Sequence, residues 1–276
     1  MPTMTPSRVV ATLGGPGTFA GQATRAFAAR MPELGTVQYL PTMDEIWAAA
    51  SSGEVDSAVL TSETSNTGLQ EIAERLLARG TGLYVNGEIL VPYHCMLLGK
   101  PGTRLEDIRL VLGHGSLVHC RRFLADNLPR AEVRMHEKNS LAAAAEVLAG
   151  SGDIAVVGTA LSARQNGLAV LERDVDLGSV GAWWIMSREL RVSPKPDVIL
   201  IGVTSSSGAA LSGLLTQAQG AGLELRGVAA VSAGKIFSCD YLVALRTDGA
   251  PASVVDELTR AAGCRLIGAF QTASAS

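Results

Sequence analysis

Apolar residues along this chain fall into short runs separated by polar or glycine-rich turns. Val9 to Leu13 reads as a buried strand. It enters the turn Gly14-Gly15-Pro16-Gly17-Thr18-Phe19, after which Ala20 to Met31 carry alanines and Phe27 at helical spacing. A second helix is predicted over 43–52, with Asp44 and Glu45 near its start. Val55 to Leu60 reads as a β-branched strand that closes on the polar run 61–68, and Leu69 to Arg79 as a helix. Residues 83–99 have strand composition, split by Pro92. Ile108 to Leu112 ends in Gly113-His114-Gly115-Ser116 and a helix over 117–127. Asn139-Ser140 caps a helix over 141–149, and Ile154 to Val157 leads into a helix over 159–165. Strands alternating with helices predict α/β architecture with mainly parallel sheets, whose ligands sit beyond the strand C-termini.

The pattern breaks at Arg191-Val192-Ser193-Pro194-Lys195-Pro196, where two prolines in a polar run read as a linker. Beyond it the predicted order is strand 198–203, helix 208–219, strand 223–230, strand 236–246, helix 251–261 and strand 265–269. That is the ferredoxin-like βαββαβ order, with a frayed tail expected over 271–276.

Composition narrows the function. The 276 residues suit two or three modules, and 47% apolar against 18% charged residues favours folded cores over disorder. A net charge of −3 without a basic block argues against nucleic acid and anionic membranes. No apolar run reaches the roughly 18 residues of a membrane span, and the N-terminal segment lacks the pattern of a signal peptide. Cys95, Cys120, Cys239 and Cys264 form no CxxC pair or ligand spacing, so a reduced cytoplasmic setting is expected, with no metal and no cofactor.

Several stretches together resemble the prephenate dehydratase family. Leu13-Gly14-Gly15-Pro16-Gly17-Thr18-Phe19 resembles its Leu-Gly-Pro-x-Gly-Thr-Phe. Gly53-x-x-Asp56 followed by Glu63-Thr64-Ser65-x-x-Gly68 is similar to its Gly-x-x-Asp and Glu-Asn-Ser-x-x-Gly elements. Gly87-Glu88 leading to His94 and Leu97-Leu98 resembles the hinge segment. His114…Cys120-x-x-Phe123-Leu124 is similar to Ser-His-Pro-Gln…Cys-x-x-Phe-Leu, and Asn139-Ser140-Leu141 stands where the family has Ser-Thr-Ala. The resemblance implies two lobes like those of type II periplasmic binding proteins, spanning 1–190 (about 8–88 with 170–190, and 89–169), with substrate in the cleft. It also implies a regulatory ACT domain over 197–276, a possible amino-acid effector there, and a homodimer or homotetramer. The family's Asn-x-Thr-Arg-Phe, whose threonine is the proton donor to the leaving hydroxyl, falls here on Val180, Gly181, Ala182, Trp183 and Trp184. The effector motif Glu-Ser-Arg-Pro falls on Ala229-Ala230-Val231-Ser232, and Gly-Ala-Leu survives only as Gly208-Ala209-Ala210-Leu211, so the effector residues expected are Gly208, Ala209 and Leu211.

A prephenate-like dianion needs N–H and O–H donors. Gly15, Gly17 and Thr18 offer backbone donors at a helix N-terminus, or form only a tight turn. Ser62, Thr64, Ser65 and Asn66 offer hydroxyl and amide donors at a strand exit, or cap the next helix, and Glu63 is an orienting group. His114 is a candidate acid or carboxylate ligand, or a solvated loop histidine, while His94 and His119 read as packing or surface residues. Ser116 and Ser140 are further binding candidates, Ser140 also a simple N-cap. Trp183 and Trp184 either pack a core or dry the cleft in place of the arginine and threonine. The implied activity is a lyase acting on prephenate or a close analogue with loss of CO2, and of water if the family reaction is kept. A non-aromatising decarboxylase and an inactive binding protein or sensor are the alternatives.

Overall fold

The computed structural model describes residues 8–30, 34–78, 82–137, 140–205, 209–236, 238–251, 253–260 and 263–274. The first lobe opens with β1 (Arg8–Leu13), α1 (Phe19–Ala28), β2 (Leu34–Leu40), α2 (Met43–Ser52), β3 (Ser57–Thr64), α3 (Gln70–Leu77) and β4 (Tyr84–Pro92). Local chemistry sets these boundaries. Thr18 caps α1 by accepting from Gly21 N. Thr42 and Glu45 form a reciprocal capping box on α2, which Gly53 ends at φ +86°, a conformation that favours glycine.

The second lobe comprises β5 (Met96–Gly99), β6 (Leu110–Gly113), α4 (Leu117–Asn127), β7 (Glu132–Met135), α5 (Ser140–Ala149), β8 (Ile154–Gly158), α6 (Ala160–Gln165) and β9 (Ala169–Glu172). Its sheet runs β7-β6-β8-β5-β9, with β7, β6 and β8 parallel and β5 antiparallel to its neighbours. The chain then returns to the first lobe as β10 (Val180–Ser187). The expected lobe boundaries therefore shift. β4 continues to Pro92 in the first sheet, and Ala169–Glu172 stays in the second because it pairs with β5.

Two chain crossings join the lobes, at 93–95 and 173–179, and they bind each other. Tyr93 N donates to Ser179 O at 3.0 Å and Val175 N to Cys95 O at 2.9 Å. The buried Asp176 carboxylate accepts from Cys95 N and Ser179 N. His94 (φ 45°) and Asp174 (φ 51°) take left-handed conformations, and the His94 ring is hydrogen-bonded through Nδ1 to Asp174 Oδ1 at 2.9 Å.

The C-terminal module contains β11 (Val198–Ser205), α7 (Ala209–Gly220), β12 (Glu224–Ser232), β13 (Cys239–Arg246), α8 (Ser253–Thr259) and β14 (Cys264–Phe270). Its sheet order, β12-β13-β11-β14, is antiparallel throughout, as the ferredoxin-like arrangement requires. One face of this sheet packs under α7 and α8 around Ile199, Leu214 and Val243. The other joins the first lobe in one apolar core, where Leu200, Leu242 and Phe270 meet Ile72, Leu76 and Trp184. Gly268 permits this approach, since a Cβ there would lie 2.2 Å from Val85 O.

The expected frayed tail is instead ordered through Ser274. β15 (Thr272–Ser274) adds to β4 in parallel and completes the six-stranded sheet β15-β4-β10-β3-β1-β2. Its anchors are side chains: Thr272 N donates to Asp197 and Thr272 Oγ1 to Glu88. Glu88, 2% exposed, also receives Trp184 Nε1 at 2.9 Å and two Arg226 nitrogens at 2.8 Å each. Arg226, on β12, also bonds Glu63. Burial opposes the Arg226 charge, but Glu88 and Glu63 more than offset it and hold the guanidinium protonated.

Candidate active site

A cavity of about 360 Å3 lies between the lobes, beyond the C-terminal ends of the parallel strands. Four helices present their N-termini to it through Thr18 on α1, Ser116 on α4, Ser140 on α5 and Thr159 on α6. Their dipoles favour an anion, although Thr18 and Thr159 each already cap one first-turn amide. Phe19, Tyr39, Tyr93 and Trp183 supply aromatic walls, and Thr61 and Ser162 supply hydroxyls. No Lys, Arg, Asp or Glu is among the described residues of the lining, and His114 contributes its sole imidazole.

The glycine turn serves mainly to let the lobes meet. A Cβ on Gly17 would lie 2.7 Å from Gln165 Oε1, and one on Gly15 would lie 3.3 Å from Leu141, both across the cleft. Thr159 Oγ1 donates to Gly17 O at 2.8 Å, which locks the lobes together there. Gly17 and Thr18 line the cavity and Gly15 does not. The Thr18 hydroxyl is committed to its own turn, donating to Gly15 O and accepting from Gly21 N.

His114, Ser116 and Ser140 all line the cavity, as their positions after strands predict. Ser116 is buried at the start of α4 yet makes no side-chain capping bond. The polar run over 61–68 is divided: Thr61 lines the cavity, but Ser62 and Thr64, which belong to β3 itself, and Ser65 just beyond it do not, and for these three the expectation of facing ligand is corrected. Ser62 donates to Ala182 O, and Thr64 pairs with Thr67. Ser65 exchanges hydrogen bonds with Val180, accepting from its N at 2.8 Å and donating to its O at 3.0 Å. These bonds join β3 to the start of β10, and none of the three residues lines the cavity. Glu63 turns away from the cleft to Arg226.

The tryptophan pair also separates. Strand alternation directs Trp183 toward the cleft, with Tyr93 at 5.7 Å, and Trp184 into the core shared with the C-terminal module. Trp183 lines the cavity; Ala182 and Trp184 do not. Ala182 sits opposite Glu63 and Leu90, on the module-facing side of β10, so the expectation that it stands in the cleft is corrected. Trp183 Nε1 is buried without an acceptor among the described residues. In the module, Leu211 packs against its core, Ala209 is exposed at the start of α7, and Gly208 lies outside the described residues.

Asn66 reaches the back of the site, where its amide bonds His119 Nδ1 at 2.7 Å and Ser179 Oγ at 3.3 Å. His119 stacks on Tyr93, with ring centroids 4.1 Å apart. Burial pushes the His119 pKa down, against the opposing charge of Asp176. With the folded-state pKa depressed, the unfolded chain takes up a proton first as pH falls. Stability should therefore be full above about pH 6.5 and decline below it. Melting midpoints measured from about pH 8 to 5 should show this decline, and His119→Gln should flatten it. A parallel decline in the variant would assign the proton to another group.

Tyr39, Thr61, Tyr93, Thr159 and Ser162 escaped the sequence reading. Thr159 and Ser162 follow the same strand-exit rule that located His114 and Ser116. Tyr39 lies on β2, and Tyr93 is hidden between Pro92 and His94 in a segment without periodicity.

Two α/β lobes joined by paired crossings around a helix-N-terminal cleft, with a βαββαβ module docked on the first, define a two-lobed α/β protein with a cleft between its lobes. The sequence profile of the prephenate dehydratase family matches residues 10–189, and the chain belongs to that family. It is 34% identical to the prephenate dehydratase of Mycolicibacterium vanbaalenii over 178 residues, which cover 60% of this chain and 56% of that protein. It is 30% identical to the Amycolatopsis methanolica prephenate dehydratase over 223 residues, 78% of this chain and 71% of that one. The structure of Arthrobacter aurescens prephenate dehydratase in complex with L-Phe shares the fold, with a TM-score of 0.77 at 23% identity over 95% of this chain and 89% of that one. Among the described residues no helix is long and apolar enough to cross a membrane.

Proposed function

We propose that this chain binds a prephenate-like dianion between its lobes, releases its ring carboxylate as CO2 and leaves the ring hydroxyl in place. The observation that carries this reading is Trp183 in the cleft wall, where the family places arginine, in a lining whose described residues include no carboxylic acid or fixed cation. Loss of hydroxide requires an acid at the leaving oxygen. Loss of CO2 requires only that the carboxylate be less well solvated than the transition state in which its charge spreads, and an aromatic wall supports that. His114, Ser116 and the helix N-termini hold the carboxylates, and no cofactor takes part. The C-terminal module is a regulatory ACT domain of a cytoplasmic homodimer or homotetramer. With Ala229–Ser232 replacing the effector motif, it responds weakly to phenylalanine.

Incubation with prephenate tests the reading by CO2 release, phenylpyruvate absorbance and ring-proton NMR. The expected result is CO2 with a hydroxyl-bearing, non-aromatic ring. Phenylpyruvate formed in step with CO2 would restore the family reaction. Binding without turnover would make the chain a sensor.

A further inference from the structure

We infer that the Tyr93 hydroxyl delivers the proton that takes the place of CO2 on the substrate ring. This rests on the decarboxylation proposed above.

The product needs such a proton. When the bond between ring and carboxylate breaks, its electron pair enters the ring's allylic system, and a ring carbon must then gain H+. One carboxylate and one proton become CO2 and a C–H bond, and the hydroxyl is untouched. The donor must border the cleft and keep its proton until a carbanion forms.

Tyr93 meets these conditions. It lies on the first crossing between the lobes, 7% exposed, and lines the cavity. Its ring is fixed by His119 stacked at 4.1 Å, by Phe19 edge-on at 4.6 Å and by Trp183 at 5.7 Å. Its backbone N–H is held by Ser179 O. Its hydroxyl has no hydrogen-bond partner among the described residues, so a well-anchored ring carries an uncommitted O–H group. Burial first, and the Cys95 side chain second, push the phenol pKa far above its usual range, which suits a group that must stay protonated.

Tyr93 also lines a second opening, of about 340 Å3, on the hinge side, with Arg25, His94 and Arg164. Substrate in the cleft thus meets Tyr93 from one side, and water reaches the residue from the other. The phenolate left after proton transfer is reprotonated by water from that opening, and the burial that disfavours the anion keeps it short-lived.

Because the hydroxyl bonds no described protein group, Tyr93→Phe should keep the ring packing and the melting midpoint. It should lower kcat for CO2 release from prephenate by about 10²–10⁴-fold with KM little changed. In D2O the wild type should place deuterium on a single ring face, and the residual product of Tyr93→Phe should carry it on both. A variant that keeps most of the wild-type rate and facial selectivity would overturn the inference, since a packing role alone predicts that result. Loss of selectivity in His114→Ala but not in Tyr93→Phe would also overturn it and assign the proton to His114. If the wild type releases no CO2, the proposed function itself fails, an outcome distinct from an active wild type with an unaffected Tyr93→Phe.

Discussion

Arg226→Ala is expected to cost about 3–5 kcal/mol of stability, because it strands the Glu88 carboxylate, 2% exposed, without its cation. Trp184 Nε1 and Thr272 Oγ1 would still donate to Glu88, but neither neutralises it. The melting midpoint should fall by roughly 10 °C in a calorimetric scan. The double variant Arg226→Met/Glu88→Gln should recover most of the loss, since burying two neutral side chains avoids the charge penalty. A single variant that melts like the wild type would mean that Glu88 is hydrated or protonated. Failure of the double variant to recover would move the cost from charge to packing.

Trp183→Ala is expected to lower CO2 release by about 10²-fold, because water enters the cleft and the substrate loses the wall that positions it. Truncating a buried tryptophan also costs about 3–5 kcal/mol, so Trp183→Phe, which keeps an aromatic face, is the safer comparison. It should fall between the wild type and Trp183→Ala. Trp184→Phe makes the sharper contrast. This neighbour faces the C-terminal module, so its loss should lower the melting midpoint by removing the bond to Glu88 while CO2 release continues. Equal loss of rate in Trp183→Phe and Trp184→Phe would show that the strand, rather than the cleft wall, is what matters.

Strands and helices with clear hydrophobic periods were legible in the sequence, including the βαββαβ order beyond the linker. What was illegible was mostly a matter of partners. β15 is three residues of Thr, Ala and Ser with no hydrophobic signal, and it exists because β4 and Glu88 receive it. In the sequence, residues 180–184 stand out as motif positions rather than as a strand, and motif positions carry no sign of the opposite facing of Trp183 and Trp184. Ser65 and His114 both follow strands in polar turns, and nothing local to either tells that one bonds the Val180 backbone while the other lines the cavity. Glycine spacing at 15 and 17 suggested ligand amides, whereas the close approach of Leu141 and Gln165 belongs to residues far along the chain.

The place of β15 has a consequence for the order in which the protein is made. The first lobe's sheet is closed at one edge by residues that follow the entire C-terminal module. During synthesis β4 must therefore wait, with an open edge and with Glu88 lacking its Arg226 cation, until that module has been translated and has docked. A nascent chain arrested after residue 190 should bind chaperones and resist proteolysis poorly, although every strand of the second lobe is already present.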